Sequence, residues 1–185
     1  YAKPQAAVVQ GFSGFLLENC AAGCYSRSWD ALTTLGPAFL SMADVRAVGI
    51  DLGTTNSAVA WIDPSGRTAM LRNAEGELVT PSVVLFDDTE VLVGREARRL
   101  APMYPDRVAE WVKRDMGAPV YSRPIRGEFL PPEVVQACIL RKLKADILAT
   151  AGPAAKAVIT VPAYFDELRR KATADAGEMA GLTLL

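Results

Sequence analysis

The sequence predicts an α/β fold in which flanking helices pack on a mixed sheet. An apolar segment ends at Asp51 and another begins at Ala58, with Gly53 between them, which indicates two strands joined by a tight turn. Residues 158–161 are a continuous apolar run, typical of a strand buried on both faces. A helical stripe recurs every four residues at Val135, Ile139, Leu143 and Ile147.

The first half of the chain is predicted to be rich in short strands. After the hairpin that surrounds Gly53, a turn at residues 63–66 carries proline and glycine in favourable positions. Further strands are predicted at residues 67–72, 82–86 and 91–93. Helical character begins near Arg95, and a second helical segment is predicted at residues 108–116.

The second half is predicted to be more helical. Residues 117–132 are a loop punctuated by proline and glycine. The long helix that follows starts at Pro131-Pro132-Glu133 and stops at Gly152-Pro153, and Leu140 and Leu148 widen its apolar stripe. A last helix is predicted at residues 166–180, followed by the start of another strand. This helix should pack closely on the sheet with one side formed by Leu168, Ala172, Ala176 and Met179.

Composition excludes several classes of function. The 185 residues carry 20 basic and 21 acidic side chains, a balance that argues against a binder of nucleic acid or of membrane surfaces. Histidine is absent, so catalytic triads and histidine-based zinc sites are excluded. The three cysteines show no pairing pattern, and Cys138 is predicted to be a buried small hydrophobe. No run approaches a membrane span, and we expect a cytoplasmic location.

Residues 1–41 differ from the rest, because they show no sustained period of strand or helix. We interpret Met42 as the natural start and residues 1–41 as an upstream extension that is disordered or not native. The alternative is a signal peptide with a lipoprotein-like box that ends at Cys24, but Glu18 and Asn19 interrupt its pattern. Residues 42–185 are then the folded domain.

The turn after Asp51 predicts a site for phosphate and a metal ion. Gly53 lets the backbone approach a ligand and adopt dihedral angles closed to other residues. Successive N–H groups in such a turn form a concave anion site, and the hydroxyls of Thr54 and Thr55 add donors. Asp51 could hold hydrated Mg²⁺, which takes oxygen ligands and keeps several waters. An ordinary hairpin turn remains the alternative for this short motif.

Five further segments, in order along residues 45–185, resemble one family, the Hsp70 chaperones. The clearest is residues 157–165, Ala-Val-Ile-Thr-Val-Pro-Ala-Tyr-Phe. Residues 80–86 are similar to the family's Thr-Pro-Ser-x-Val-x-Phe segment. The other three are residues 93–97, 112–114 and 170–177. The chain is identified as the first part of an Hsp70 nucleotide-binding domain, one incomplete lobe of the actin-like ATPase (ribonuclease H-like) fold.

The resemblance implies roles for matching residues. Asp51 would hold a water of the Mg²⁺ shell, and Gly53, Thr54, Thr55 and Asn56 would form a phosphate loop. Thr54 would lie near the γ-phosphate of ATP and the attacking water. Lys113 matches the family's catalytic lysine, which fits a reaction that depends on positioning and electrostatics. Pro162 and Arg170 match a relay that reports whether ATP or ADP is bound.

The resemblance also implies partners, and these are unfolded polypeptides, a J-domain cochaperone and a nucleotide exchange factor. The sequence departs from the family at Asp115, at Asp166-Glu167 and in a shorter connection after Lys113, and it stops at Leu185 before the second phosphate loop. We therefore expect this chain alone to bind ATP weakly or not at all. The alternatives are a sugar kinase of the same superfamily and a non-catalytic half-domain that binds partners.

Overall fold

The computed structural model describes residues 47–63, 65–152 and 156–185. Within these ranges the chain forms eight strands, three α-helices and one 3-10 turn. They are β1 Ala47–Asp51, β2 Asn56–Ile62, β3 Thr68–Met70, β4 Thr80–Pro81, β5 Val83–Phe86, β6 Val91–Val93, α1 Arg95–Leu100, β7 Val108–Glu110, the 3-10 turn Val112–Arg114, α2 Pro132–Ala151, β8 Lys156–Thr160 and α3 Glu167–Met179. The predictions for residues 1–41 and for the boundary at Met42 lie outside the described residues.

The larger sheet is mixed, as predicted. Its strand order is β3-β2-β1-β8, and β4 pairs with the start of β2. β1 runs antiparallel to β2 and parallel to β8, so that Asp51 lies opposite Ala58 on one side and Thr160 on the other. This arrangement brings the ends of three strands to one edge of the sheet. The α/β class with flanking helices is therefore confirmed.

The smaller sheet is antiparallel, with the order β6-β5-β7. Its central strand is buried throughout, and a small core joins Val83, Leu85, Ala97 and Val108. Apolar residues of β5 can pack on α1 because the chain reverses at Gly94, which has a φ of 93°. The sheet places β7, and hence the turn that follows it, at a fixed position.

The helix predicted at residues 108–116 is wrong. Residues Val108–Glu110 form β7, and a 3-10 turn at Val112–Arg114 follows it. The edge of β5 offers unpaired main-chain groups, and Val108 and Ala109 pair with Leu85 and Val84 along that edge. Such tertiary pairing overrides the weak local preference of a short segment for helix.

The long helix α2 begins at Pro132 and ends before Gly152, close to its predicted bounds. The four stripe residues and Leu140 are buried, whereas Leu148 is 42% exposed, so the prediction for Leu148 is wrong. Cys138 is buried as predicted, and its thiol donates to the Val134 carbonyl on the preceding turn, with a sulfur-to-oxygen distance of 3.5 Å. Leu148 lies in the last turn of the helix, where it is not covered by another described element.

Two further burial predictions are wrong. Val158 is 46% exposed, because the sheet face that carries it has no cover within the described residues. On α3, Leu168 and Met179 are exposed, whereas Ala176 is buried as predicted, together with Thr173 and Gly177. The expected close packing on the sheet is still present, because a Cβ at Gly177 would lie 3.1 Å from the side chain of Ile159.

No helix in the described ranges is long and apolar enough to cross a membrane.

Gln136, in the first half of α2, carries a stability prediction. Its side chain is fully buried, and neither its amide nitrogen nor its oxygen bonds to a protein group in the described part of the chain. Gln136→Met should therefore raise the free energy of unfolding by about 1 kcal/mol, because it removes two polar atoms that burial leaves without compensation. Urea denaturation measures this change. Gln136→Glu is the matched control and should destabilise the protein, and a loss of stability in Gln136→Met would contradict the prediction.

Candidate functional site

The turn between β1 and β2 contains the predicted phosphate loop. Leu52 is buried and Asp51, Thr55 and Asn56 are exposed, so the turn places its polar groups outward. A Cβ added at Gly53 would overlap the carbonyl oxygen of Asn56. Gly53 is not among the glycines with a positive φ, so the prediction of special dihedral angles is not supported. The glycine is required because the turn folds tightly back on itself.

Two carbonyl groups of this turn accept hydrogen bonds from Ser82, which follows β4, and from Arg98 of α1. The Ser82 hydroxyl donates to the Gly53 carbonyl at 2.9 Å, and the Ser82 main-chain N–H donates to the Thr55 carbonyl at 2.9 Å. Arg98 of α1 also donates to the Thr55 carbonyl, at 2.7 Å. By contrast, the main-chain N–H groups of Gly53, Thr54 and Thr55 donate to no protein acceptor in residues 47–63, 65–152 and 156–185. The turn therefore has donors available for an anion.

Lys113 reaches the same turn from the 3-10 turn after β7. Its ammonium group donates to the Leu52 carbonyl at 2.5 Å, across 61 positions of sequence. Burial lowers the pKa of Lys113 below its ordinary value, and the negative charge of Asp51 opposes this shift in part. The structure thus brings together two predicted site residues, Asp51 and Lys113, from distant parts of the chain.

Asp51 has a partner that sequence reasoning missed. The Thr160 hydroxyl donates to Asp51 Oδ1 at 2.9 Å, from the residue opposite Asp51 in the parallel pairing of β1 and β8. This bond fixes the orientation of an exposed carboxylate. Sequence reasoning missed Thr160 because its contact with Asp51 depends on the register of β1 and β8, which no local motif encodes. Thr160 does lie in the segment that carries the family resemblance.

Pro162 and Arg170 meet at Phe165, and no direct bond between them occurs in the described residues. The Pro162 carbonyl accepts from the Phe165 N–H, and the Arg170 side chain donates to the Phe165 carbonyl, each at 3.0 Å. The Phe165 ring is buried, with Lys113 Nζ 5.9 Å from its centroid and the Arg169 guanidinium 5.5 Å from it. Phe165 therefore connects the predicted relay to Lys113. Sequence reasoning gave it no role.

Comparisons with known proteins show the family to which this chain belongs. A sequence model of the family described as Hsp70 protein matches residues 47–125 and 119–185. The chain is 49% identical over 140 residues to a chaperone protein DnaK from Thermotoga petrophila, which is 75% of this chain and 23% of that protein. It is 44% identical over 162 residues to a chaperone protein DnaK from Thermus thermophilus, which is 76% of this chain and 26% of that protein. The chain thus spans about a quarter of the length of these relatives, and it belongs to the Hsp70 family.

Proposed function

We propose that this chain is part of the ATP-binding lobe of an Hsp70-type molecular chaperone, in which ATP hydrolysis drives the binding and release of unfolded polypeptide. One observation carries the proposal. A lysine ammonium group, an aspartate carboxylate and the N–H groups of a tight turn, which have no protein partner in the described part of the chain, lie together at the ends of β1 and β8. A cation and main-chain donors around a single acidic group suit a nucleotide phosphate with a metal ion.

The residues fit a hydrated magnesium ion better than a caged metal. Within the described part of the chain, no group of three or more acidic, cysteine or histidine side chains could enclose a metal. Asp51 is a single exposed carboxylate oriented by Thr160. Mg²⁺ keeps several waters and is usually held by one or two carboxylates together with substrate phosphates. Asp51 would therefore hold the ion through water, and Gly53, Thr54, Thr55 and Asn56 would hold the phosphates of ATP or ADP.

When bound, MgATP would supply the phosphoanhydride bond that is hydrolysed. Lys113 would place its positive charge beside the turn and orient water, and it is held there by the Leu52 carbonyl. Thr54, half-buried in the turn, would contribute a hydroxyl near the terminal phosphate. Positioning and electrostatic stabilisation supply most of the catalysis in phosphoryl transfer, so these groups are the kind that the reaction needs.

The proposed partners are unfolded polypeptides, a J-domain cochaperone and a nucleotide exchange factor, acting in the cytoplasm. The contacts of Pro162 and Arg170 with Phe165 support a relay from the nucleotide site, because Phe165 also lies near Lys113. The Hsp70 match disfavours the sugar kinase alternative. A non-catalytic binding module remains as the outcome of a failed test.

The test is a titration of the ¹⁵N-labelled chain with MgATP, in which the amide chemical shifts are recorded at each MgATP concentration. Shift mapping detects weak binding as well as tight binding. We expect concentration-dependent shifts at Gly53, Thr54, Thr55 and Asn56, and much smaller shifts in Asp51→Asn. Glucose added without nucleotide should have no effect. If MgATP at millimolar concentration leaves these amides unmoved in a folded chain, the proposal is wrong and the binding-module alternative is favoured.

Thr160→Val tests the support of Asp51. We expect the Mg²⁺ concentration needed for half-maximal nucleotide binding to rise about tenfold. Loss of a hydrogen bond to a metal-site carboxylate typically lowers metal affinity by this much. The free energy of unfolding should change by less than about 0.5 kcal/mol, because the site is exposed. Titration of ADP at several Mg²⁺ concentrations measures the first effect.

The matched control for this experiment is Thr150→Val. Thr150 also donates an exposed hydroxyl hydrogen bond, to the Arg72 carbonyl at 3.3 Å, but it lies on α2 away from the turn. Equal magnesium dependence in the two variants would contradict a role for Thr160.

A further inference from the structure

Trp111 has a backbone conformation that is unusual for its side chain. Its φ of 58° and ψ of 23° lie in the left-handed region, and Arg126 is the other residue besides glycine with a positive φ in the described ranges. Bulky side chains are rarely found there, and such residues persist only where the surroundings enforce them. Trp111 directly precedes the 3-10 turn that carries Lys113. The forced conformation therefore lies where the direction of the Lys113 turn is set.

A buried phenol holds the residue before Trp111. The Tyr121 hydroxyl donates to the Glu110 carbonyl at 2.8 Å and accepts from the Glu110 N–H at 3.1 Å. Tyr121 is 1% exposed. A single side chain thus pairs both main-chain groups of the last residue of β7, as a neighbouring strand would do. Glu110 lies opposite Val83 of β5 on one side, and Tyr121 thus pairs its main-chain groups on the other edge of β7, beside which no strand lies in the described part of the chain.

Arg123 ties this phenol to the indole of Trp111. Its guanidinium donates to the Tyr121 hydroxyl at 2.8 and 3.0 Å and to the Glu110 carbonyl at 3.2 Å. The same guanidinium lies 5.1 Å from the centroid of the Trp111 ring, and that of Arg114 lies 5.9 Å from it. Cation–π contacts of this kind hold the ring although it is 44% exposed. The contacts are local and centred on Trp111.

We propose that Tyr121, Arg123 and Trp111 form a brace that positions Lys113 for the nucleotide site. The brace fixes Glu110 and holds Trp111 in its left-handed conformation, and the Arg114 N–H then closes the turn on the Trp111 carbonyl at 3.0 Å. From this turn Lys113 reaches the Leu52 carbonyl. The three are positioning residues that act through Lys113. This inference rests on the proposed function only in assigning Lys113 a role at a nucleotide site.

The alternative is that these contacts stabilise the loop and have no effect on Lys113. The proposal and this alternative predict different behaviour of the Gly53 amide. The Gly53 nitrogen is bonded to the Leu52 carbonyl group, whose oxygen accepts the hydrogen bond from Lys113. The chemical shift of an amide responds to a hydrogen bond on its own peptide carbonyl. A general loss of stability does not move this resonance while the protein stays folded.

The experiment records the Gly53 amide resonance of the nucleotide-free chain. Lys113→Met defines the shift caused by loss of the hydrogen bond. We expect Tyr121→Phe, which keeps the ring and removes the hydroxyl, to displace the Gly53 resonance in the same direction. Trp111→Val should do the same, because a β-branched residue resists a positive φ. Trp111→Gly, which adopts this conformation freely, should leave the resonance nearer its original position.

Tyr104→Phe is the matched control, because it removes an exposed tyrosine hydroxyl near β7 that does not contact Glu110. The proposal is overturned if the Gly53 resonance is unchanged in both Tyr121→Phe and Trp111→Val while their melting temperatures fall. If Tyr121→Phe does not fold, the comparison of Trp111→Val with Trp111→Gly still decides the matter. The test uses no nucleotide, so a failed MgATP titration would refute the proposed function and leave the brace intact.

Discussion

Gly53→Ala is expected to destabilise the protein by about 3 kcal/mol, at the upper end for overpacking, and to abolish the MgATP-induced shifts of the turn. The added Cβ would overlap the Asn56 carbonyl oxygen, which is a main-chain atom and cannot rotate away as a side chain can. Relief requires the turn to open, and opening displaces the carbonyl groups of Gly53 and Thr55 from Ser82. Urea denaturation and the amide titration measure the two effects.

Gly49→Ala is the matched control, since Gly49 lies on the same strand, β1. The nearest atom to a Cβ at Gly49 is the Ala60 carbonyl oxygen, at 3.9 Å, which is ordinary contact. Alanine there should change stability by less than about 1 kcal/mol, because it reduces the entropy of the unfolded chain without a clash. If both substitutions had equal effects, the close approach at Gly53 would not be the reason for the glycine.

Elements specified by local pattern were predicted well. The β1–β2 hairpin follows from two apolar segments and a glycine, and α2 follows from its four-residue stripe and its terminal prolines and glycine. Each depends on neighbours within a few positions. The segment at Val108 was predicted wrongly as helix because its structure depends on the free edge of β5, more than 20 positions earlier.

The candidate site divides in the same way. Asp51 and the turn after it were predicted from adjacent residues and Lys113 from the family resemblance, and the structure places these groups close together. Ser82, Thr160 and Phe165 were missed, because each contacts the site through strand register or a loop crossing that no short motif encodes. What sequence could not supply was the set of supporting contacts that orient the predicted groups.

The second large effect is expected where α2 meets the loop between β3 and β4. Lys142 donates to Asp146 Oδ1 at 2.7 Å and to Glu75 Oε2 at 3.2 Å, and the Ala74 N–H donates to Asp146 at 3.1 Å. The side chains of Lys142 and Asp146 are 16% and 3% exposed. Removal of one partner from so buried a pair leaves the other charge uncompensated, which costs far more than loss of an exposed pair.

Lys142→Met should therefore lower the free energy of unfolding by about 3 kcal/mol at neutral pH. The double variant Lys142→Met with Asp146→Asn should lie within about 1 kcal/mol of the original protein, because no isolated buried charge remains. Lys171→Met is the matched control. It breaks the exposed pair with Asp175, 2.7 Å apart on α3, and should cost less than about 0.5 kcal/mol.

The pH dependence separates this explanation from a simple loss of packing. Burial raises the pKa of Asp146 above its ordinary value of 3.8, against the opposing effect of Lys142. The folded state therefore holds the Asp146 proton more tightly than the unfolded chain does, and the resulting stability is full below the unfolded pKa and is lost as pH rises through the folded pKa. Without Lys142 the folded pKa should rise further. The destabilisation of Lys142→Met should then shrink as pH falls from about 7 towards about 4, because Asp146 is protonated in the folded variant. If the difference in unfolding free energy between Lys142→Met and the original protein stays constant across this range, the destabilisation comes from poorer packing of methionine. The buried-charge explanation would then be wrong.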